Sequence, residues 1–146
     1  MDKALITKAA DALELVDIHL YSSSIARFED IFSDEYPADM QQQNKLAVSA
    51  AVLASEDGKK LINVKATFGM RFVLLAGDKE ERALAEIEST FMAKYIQTEE
   101  IEEQALEEFI KFNAIHNVWP FWREHAFRMA AEANLPKPLI PFFRAR

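Results

Sequence analysis

The chain has 146 residues, of which 50% are hydrophobic and 28% are charged, and its formal net charge is −7. This length suffices for one domain with a hydrophobic core, and the composition excludes wholesale disorder. The acidic balance disfavours nucleic acid and anionic membranes as partners, and the absence of cysteine excludes disulfides, thiolate zinc sites and cysteine nucleophiles.

Neither a membrane-spanning run nor a signal peptide is predicted. No apolar stretch approaches the ~20 residues that cross a bilayer, and the N-terminus is acidic rather than basic and apolar. Together with the absence of cysteine, this favours a cytoplasmic location.

The first predicted element is a strand near the N-terminus. Between residues 16 and 20, three apolar side chains alternate with Asp17 and His19, which is the pattern of a half-buried strand. The alternation changes phase at residues 15–16, where a β-bulge would absorb the extra residue. Residues 29–43 are acidic and end in three glutamines, so a surface loop is predicted there.

Three more strands are predicted in the middle of the chain. Apolar residues at the even positions 46–52 favour a strand, although the alanines there leave a helix open. The clearest strand has one apolar face, formed by Ile62, Val64, Ala66, Phe68, Met70 and Phe72. A fourth strand is predicted over residues 85–95, and the pairs Asp57-Gly58 and Gly77-Asp78 indicate turns between strands.

The pattern becomes helical after residue 98. Apolar residues from Ile101 to Ile110 fall on one helix face, and Thr98 is the predicted N-cap. A second helical stretch is predicted to begin near Pro120, because proline is tolerated in the first turn of a helix. The tail after Asn134 contains three prolines and is predicted to be extended. The predicted fold is therefore α+β: one domain over residues 1–146, with a four-stranded antiparallel sheet, a long or broken helix and an extended Pro-rich tail.

Residues 116–124, HNVWPFWRE, resemble the helix motif of SecB-like chaperones. That motif has an Asn, two apolar residues, a Pro, aromatic residues and then Arg-Glu. The segment NLPKPL at residues 134–139 is similar to the Leu/Phe-Pro segment that follows the family's helix, and residues 85–96 fit its last strand. The resemblance spans roughly residues 13–142, and its specific part is residues 85–142.

This resemblance implies a four-stranded sheet with helices, assembly as a homo-oligomer such as a dimer of dimers, and ATP-independent holding of unfolded proteins. Export members of the family pass their clients to the motor SecA. Leu84 and Glu86 match the last-strand part of that contact, which makes them the predicted partner-binding residues. Ser24 and Phe28 stand where export members carry acidic residues, which argues against handover to SecA. A specialised relative, such as an antitoxin chaperone, fits the sequence at least as well.

Client binding needs exposed apolar surface, and aromatic side chains bind many sequences because their contacts are large and weakly directional. The predicted peptide-binding residues are Leu46, Val48, Trp119, Phe121, Trp122, Leu139, Ile140, Phe142 and Phe143. The competing interpretation is that the aromatic residues form the core or an oligomer interface.

Catalysis finds little support in the sequence. His116 and His125 are nine residues apart, which is not the spacing that places two metal ligands on one helix face, and His19 lies on another element. No phosphate-binding glycine loop or nucleophile motif is present. The sequence therefore predicts a protein that is not an enzyme and has no cofactor, metal site or catalytic residue.

The first functional hypothesis is an ATP-independent holdase that binds unfolded or aggregation-prone polypeptide through exposed hydrophobic grooves. The alternative is a dedicated chaperone or binding partner of one client, such as an antitoxin, without general export function. A small enzyme on an α+β scaffold is the third.

Overall fold

The computed structural model describes residues 1–30, 32–55, 57–75 and 81–143. Within these ranges the chain forms one antiparallel sheet and a layer of helices. In chain order the elements are α1 (Lys3–Ala12), β1 (Leu13–Arg27), a short 3₁₀ turn (Ser33–Glu35), β2 (Gln41–Ala54), β3 (Lys60–Leu74), β4 (Arg82–Gln97), α2 (Glu103–Glu108), a π-helical turn (Phe109–Ala114) and α3 (Ile115–Glu132). The α+β class with a four-stranded antiparallel sheet is confirmed.

The strand order across the sheet is β1-β4-β3-β2, which leaves β1 and β2 as the two edges. The alternation predicted for β3 is confirmed, because its even-numbered residues from Ile62 to Phe72 are buried on the side that faces the helices. Leu46 of β2 pairs with Phe68 of β3 and therefore shares this face. Among the described residues, no helix covers the other face of the sheet, which is called the open face below.

Two details of the strands differ from the prediction. Residues 41–43 were expected in a loop, but Gln41 begins β2 and pairs with Val73. The bulge predicted at residues 15–16 is confirmed, and a second register shift follows Leu20.

Gly58 has φ +81°, which is the left-handed conformation its predicted turn requires. The other predicted turn, at residues 77–78, lies outside the described residues.

The helical part after the sheet is continuous, and two predictions about it were wrong. Pro120 lies inside α3 rather than at its start, and the helical turns run without interruption from Glu103 to Glu132. Thr98 is not the N-cap, because α2 begins five residues later. The main-chain N–H of Thr98 donates instead to the carbonyl oxygen of Ala12 at 2.8 Å, which joins the end of β4 to the end of α1.

Helix α1 was missing from the prediction. The carboxylate of Asp2 accepts from the N–H groups of Ala4 and Leu5 at 3.1 and 3.2 Å, so it caps the helix. Ala9 and Ala12 are buried. An acidic residue followed by an alanine-rich stretch is a recognisable helix start, and this signal was available in the sequence.

The core lies between the helix layer and the inner face of β3 and β4. Small residues on α3, Ala126 and Ala130, are fully buried, so the helix approaches the sheet closely. Trp122 stacks on Phe68 with ring centroids 5.4 Å apart and an interplanar angle of 9°. Within the described residues, every helix falls short of the length and apolarity that a membrane span demands.

Candidate functional site

An apolar groove lies where α3, β2 and the C-terminal segment (residues 135–143) meet. The C-terminal segment contains neither helix nor strand. The groove encloses a cavity of about 300 Å³ lined by Asn44, Lys45, Leu46, Phe68, Gly69, Trp119, Trp122, Leu139, Ile140, Pro141 and Phe143. Most of its lining is therefore aromatic or aliphatic, which suits apolar side chains of a bound molecule.

Helical spacing places two tryptophans of α3 in the floor of the groove. Trp119 and Trp122 are three residues apart and therefore share one side of α3. Trp122 is only 3% exposed and belongs to the core. Trp119 is half-buried, and its ring meets Phe68 edge-on at 5.7 Å. Trp122 is therefore a core residue, as the competing interpretation predicted, whereas Trp119 forms part of the groove surface.

The sheet side of the groove remains open along β2. Leu46 is 47% exposed and Val48 is 37% exposed, although both point to the same side as the helices. The π-helical turn approaches β2, but α3 packs on β3 and β4 and leaves Leu46 and Val48 exposed. An apolar strip along β2 therefore continues from the cavity.

The C-terminal segment is attached to the groove by side chains. Gln42 accepts from the N–H of Leu139 at 2.7 Å and donates to its carbonyl oxygen at 3.1 Å. Arg123 Nε donates to the carbonyl oxygen of Ile140 at 2.7 Å, and Trp119 Nε1 donates to that of Pro141 at 2.8 Å. Ile140 is buried beneath these contacts, with 6% of its surface exposed.

A second cavity, of about 350 Å³, adjoins the same segment and shares Trp119 and Phe143 with the first. Its lining is formed by His116, Trp119, Pro120, Arg123, Glu124, Phe127, Phe142 and Phe143. The guanidinium of Arg123 lies over the rings of Phe127 and Phe142, at 4.8 and 4.6 Å from their centroids. Arg123 thus combines a main-chain hydrogen bond with two cation–π contacts.

The structure brings most of the predicted peptide-binding residues together. Leu46, Trp119, Trp122, Leu139, Ile140 and Phe143 line the first cavity, and Phe142 lines the second. Val48 lies beside the first cavity on the open strip. Phe121 lies elsewhere: it is 47% exposed one helical turn before His125, which contacts Ser23 of β1.

The predicted partner-binding residues lie near the start of β4. Leu84 is fully buried, and its carbonyl oxygen accepts from the N–H of Phe28 at 2.9 Å. Glu86 is half-buried and pairs with Arg71 of β3 on the open face of the sheet. Their contact with a partner protein stays a prediction.

The sequence-predicted site omits residues that shape the groove or hold the C-terminal segment in it, among them Gln42, Phe68 and Arg123. Gln42 falls in the predicted loop, Phe68 on the apolar face of the predicted strand, and Arg123 in the helix motif. The alternation of β3 could have indicated Phe68 opposite Leu46, since paired strands align such residues. No sequence signal could have indicated that Gln42 contacts Leu139, because 97 residues separate them.

A partly buried polar cluster joins α3 to the sheet away from the groove. His125 Nε2 lies 2.9 Å from the hydroxyl oxygen of Ser23, which lies 2.8 Å from that of Ser89. Burial lowers the pKa of His125, and the nearby Arg128 lowers it further. This arrangement favours the neutral imidazole, which can hydrogen-bond to the partly buried hydroxyl of Ser23.

Comparison with known proteins gives a match in structure. No protein-family model matches the sequence, and no curated protein does. Among solved structures, the chain resembles a SecB-like chaperone from Mycobacterium tuberculosis in complex with a ChAD peptide from the HigA1 antitoxin. The two chains are 18% identical, and the TM-score is 0.70 over 99% of each chain. The chain therefore has the SecB-like fold that residues 85–142 led us to expect.

Proposed function

We propose that this protein is an ATP-independent chaperone that holds unfolded or aggregation-prone polypeptide in the groove between α3 and β2. The observation that carries the proposal is the combination of an aromatic cavity with an uncovered apolar strip. Leu46, Val48 and Trp119 leave apolar surface accessible on one side of the sheet. Such contiguous surface on a soluble chain is characteristic of a binding site.

The chemistry of the groove suits a polypeptide better than a small substrate. Its lining offers large, weakly directional aromatic contacts, and the donors that reach into it bind main-chain oxygens. A long client that makes several such contacts at once would be held by multivalency. The net charge of −7 would keep the resulting complex soluble.

A dedicated role is the second candidate function. The similar chaperone from M. tuberculosis was solved with an antitoxin peptide. The groove of the present chain could equally serve one client, such as the disordered end of an antitoxin. We propose a cytoplasmic location for either role, since a chain without cysteine needs no oxidising compartment.

Suppression of aggregation tests the general role. An unfolded protein is diluted from denaturant without ATP, and light scattering is followed at increasing chaperone concentrations. We expect the wild-type protein to suppress scattering near stoichiometric ratios. Leu46→Asp should weaken client binding about tenfold or more, since burying a leucine side chain contributes ~1.5–3 kcal/mol.

Leu53 provides a matched control for Leu46. Both leucines are on β2 and 47% exposed, but Leu53 pairs with Leu61 on the open face of the sheet. Leu53→Asp should suppress scattering like the wild type. Equal impairment of both variants would contradict the groove as the client site. No suppression by a folded wild-type protein would exclude the general role and leave the dedicated one.

A further inference from the structure

The C-terminal segment is held in the groove in an unusual way. Among the described residues, no main-chain to main-chain hydrogen bond ties residues 136–143 to the rest of the chain. The carboxamide of Gln42 supplies instead both a donor and an acceptor to Leu139. A neighbouring strand residue makes the same two hydrogen bonds in a ladder.

Two further donors extend this recognition along the segment. Arg123 and Trp119 donate to the next two carbonyl oxygens, those of Ile140 and Pro141. Three successive carbonyl groups are therefore bound by three side chains that lie on β2 and α3. Every one of these bonds is made to main-chain atoms, so none depends on which side chain the bound residue carries.

The side chains of the segment contribute unequally. Ile140 is 6% exposed and packs into the core cluster, whereas Leu139 and Phe142 are 77% and 75% exposed. One apolar anchor and a set of main-chain hydrogen bonds thus hold residues 139–141. A client segment with any large apolar residue at the anchor position could satisfy the same contacts.

We infer that Gln42, Trp119 and Arg123 form a main-chain clamp for client polypeptide, and that residues 139–141 of this chain are its resident occupant, which a client replaces. The inference rests on the proposed chaperone function. It gives Leu139, Ile140, Phe142 and Phe143 a role opposite to the one predicted from the sequence, which made them client contacts.

The position of the segment supports replacement. Residues of the C-terminal segment line both cavities, which also share Trp119 and Phe143. A client chain that fills the first cavity therefore competes with this segment for the same surface. Because the segment is tethered, its effective concentration at the clamp is high, so a single weak contact would not displace it. A long client with several contacts would, which selects for extended unfolded chains.

The experiment compares two aspartate substitutions in the full-length chain. Ile140→Asp places a charge at the buried anchor and should release the segment, whereas Leu139→Asp places the same charge on its exposed neighbour. The probe is a fluorescent peptide with the sequence of residues 135–143, LPKPLIPFF, followed by anisotropy. We expect Ile140→Asp to bind it about tenfold more tightly than the wild type, because removal of an internal competitor raises apparent affinity.

Further variants keep the test decisive. Leu139→Asp should bind the peptide as weakly as the wild type. Adding Gln42→Ala to Ile140→Asp should reduce the gain, since the clamp loses its contact with the bound main chain. If Ile140→Asp fails to fold, Phe142→Ala with Phe143→Ala loosens the same segment without a buried charge and should also bind the peptide more tightly.

The outcomes separate this inference from the proposed function. Peptide binding by Ile140→Asp that is no tighter than wild type would overturn the resident occupant and leave the segment as a wall of the groove. If that result accompanies normal suppression of client aggregation, the chaperone function stands alone. Tighter peptide binding that an unfolded client displaces would support both. If Ile140→Asp binds the peptide more tightly but no unfolded client displaces it, residues 139–141 are the occupant of the clamp. In that case a client does not replace them.

Discussion

At the scale of single residues, His125 is a titratable side chain that is buried where α3 meets the sheet. Its side chain is 5% exposed and lies among Ser23, Ser89 and the ring of Phe91, which it meets edge-on at 5.7 Å. Of the neighbouring charged groups, Arg128 lowers its pKa, while Glu124 and Glu132 act in the opposite direction. Burial is the largest influence, so the folded protein favours the neutral form.

This lowered pKa predicts a dependence of stability on pH. Below the ordinary histidine pKa of 6.5 the unfolded chain binds a proton that the folded chain resists, so the free energy of unfolding should fall as the pH drops from 7 to 5. His125→Gln keeps a hydrogen-bonding group for Ser23 but cannot titrate. Urea titrations at pH 5 and pH 7 measure the unfolding free energies of the wild type and of His125→Gln. The wild-type value minus the variant value should be smaller at pH 5 than at pH 7. A difference that is the same at both pH values would contradict this account.

At the scale of elements, a hydrogen bond supplements the apolar core where the start of α3 docks on β4. Asn117 Nδ2 donates to the hydroxyl oxygen of Tyr95 at 2.9 Å, and Tyr95 is 2% exposed. The ring of Tyr95 also meets Phe109 of the π-helical turn edge-on at 5.1 Å. Tyr95 therefore connects β4 to both parts of the long helix.

Removal of the amide should destabilise this junction. Asn117→Ala leaves the hydroxyl of Tyr95 buried without its partner, which should cost about 1–3 kcal/mol of unfolding free energy. In a Tyr95→Phe background no hydroxyl remains, so the same substitution should cost clearly less. Thermal and urea unfolding of the four proteins in this double-mutant cycle measure the coupling. Strictly additive effects would show that the contact contributes nothing.

At the scale of the whole molecule, the β1 edge carries exposed apolar residues away from the groove. Leu20 and Ile25 are 45% and 38% exposed on the helix-facing side of β1. Phe121 of α3 is 47% exposed one helical turn before His125, which contacts Ser23 of β1. An unpaired edge strand with apolar neighbours favours association with another chain. We therefore propose that a second copy of this chain covers this surface in a homo-oligomer, as the family resemblance implies.

Sedimentation velocity tests that assembly. Leu20→Arg should shift the protein toward the monomer, because a charge would be buried at the contact without a partner. Leu53→Arg alters an equally apolar residue on the other edge strand and should sediment like the wild type. Sedimentation of Leu20→Arg as the wild-type species would exclude β1 as the contact. The sequence-based prediction that Phe121 binds peptide would then stand.

Local patterns in the sequence determined most of the sheet and the fold class. The alternation of β3 predicts its buried face, and a phase change locates the bulge at residues 15–16, because strand side chains point alternately to the two faces. Residues 116–124 resemble the helix motif of SecB-like chaperones in their types and spacing. Helix boundaries were less predictable, since Pro120 could begin a helix or lie within one, and packing against the sheet selected the second.

The tertiary structure alone decided how the groove is built. Gln42 and Leu139 are 97 residues apart, and no periodicity links a strand residue to a segment without secondary structure. Trp119, Trp122 and Phe121 are near neighbours in sequence, yet they differ in exposure because α3 rests on the sheet along one side. Sequence pattern specifies which residues are apolar, whereas the docking of elements specifies which apolar residues remain uncovered, and client binding depends on the latter.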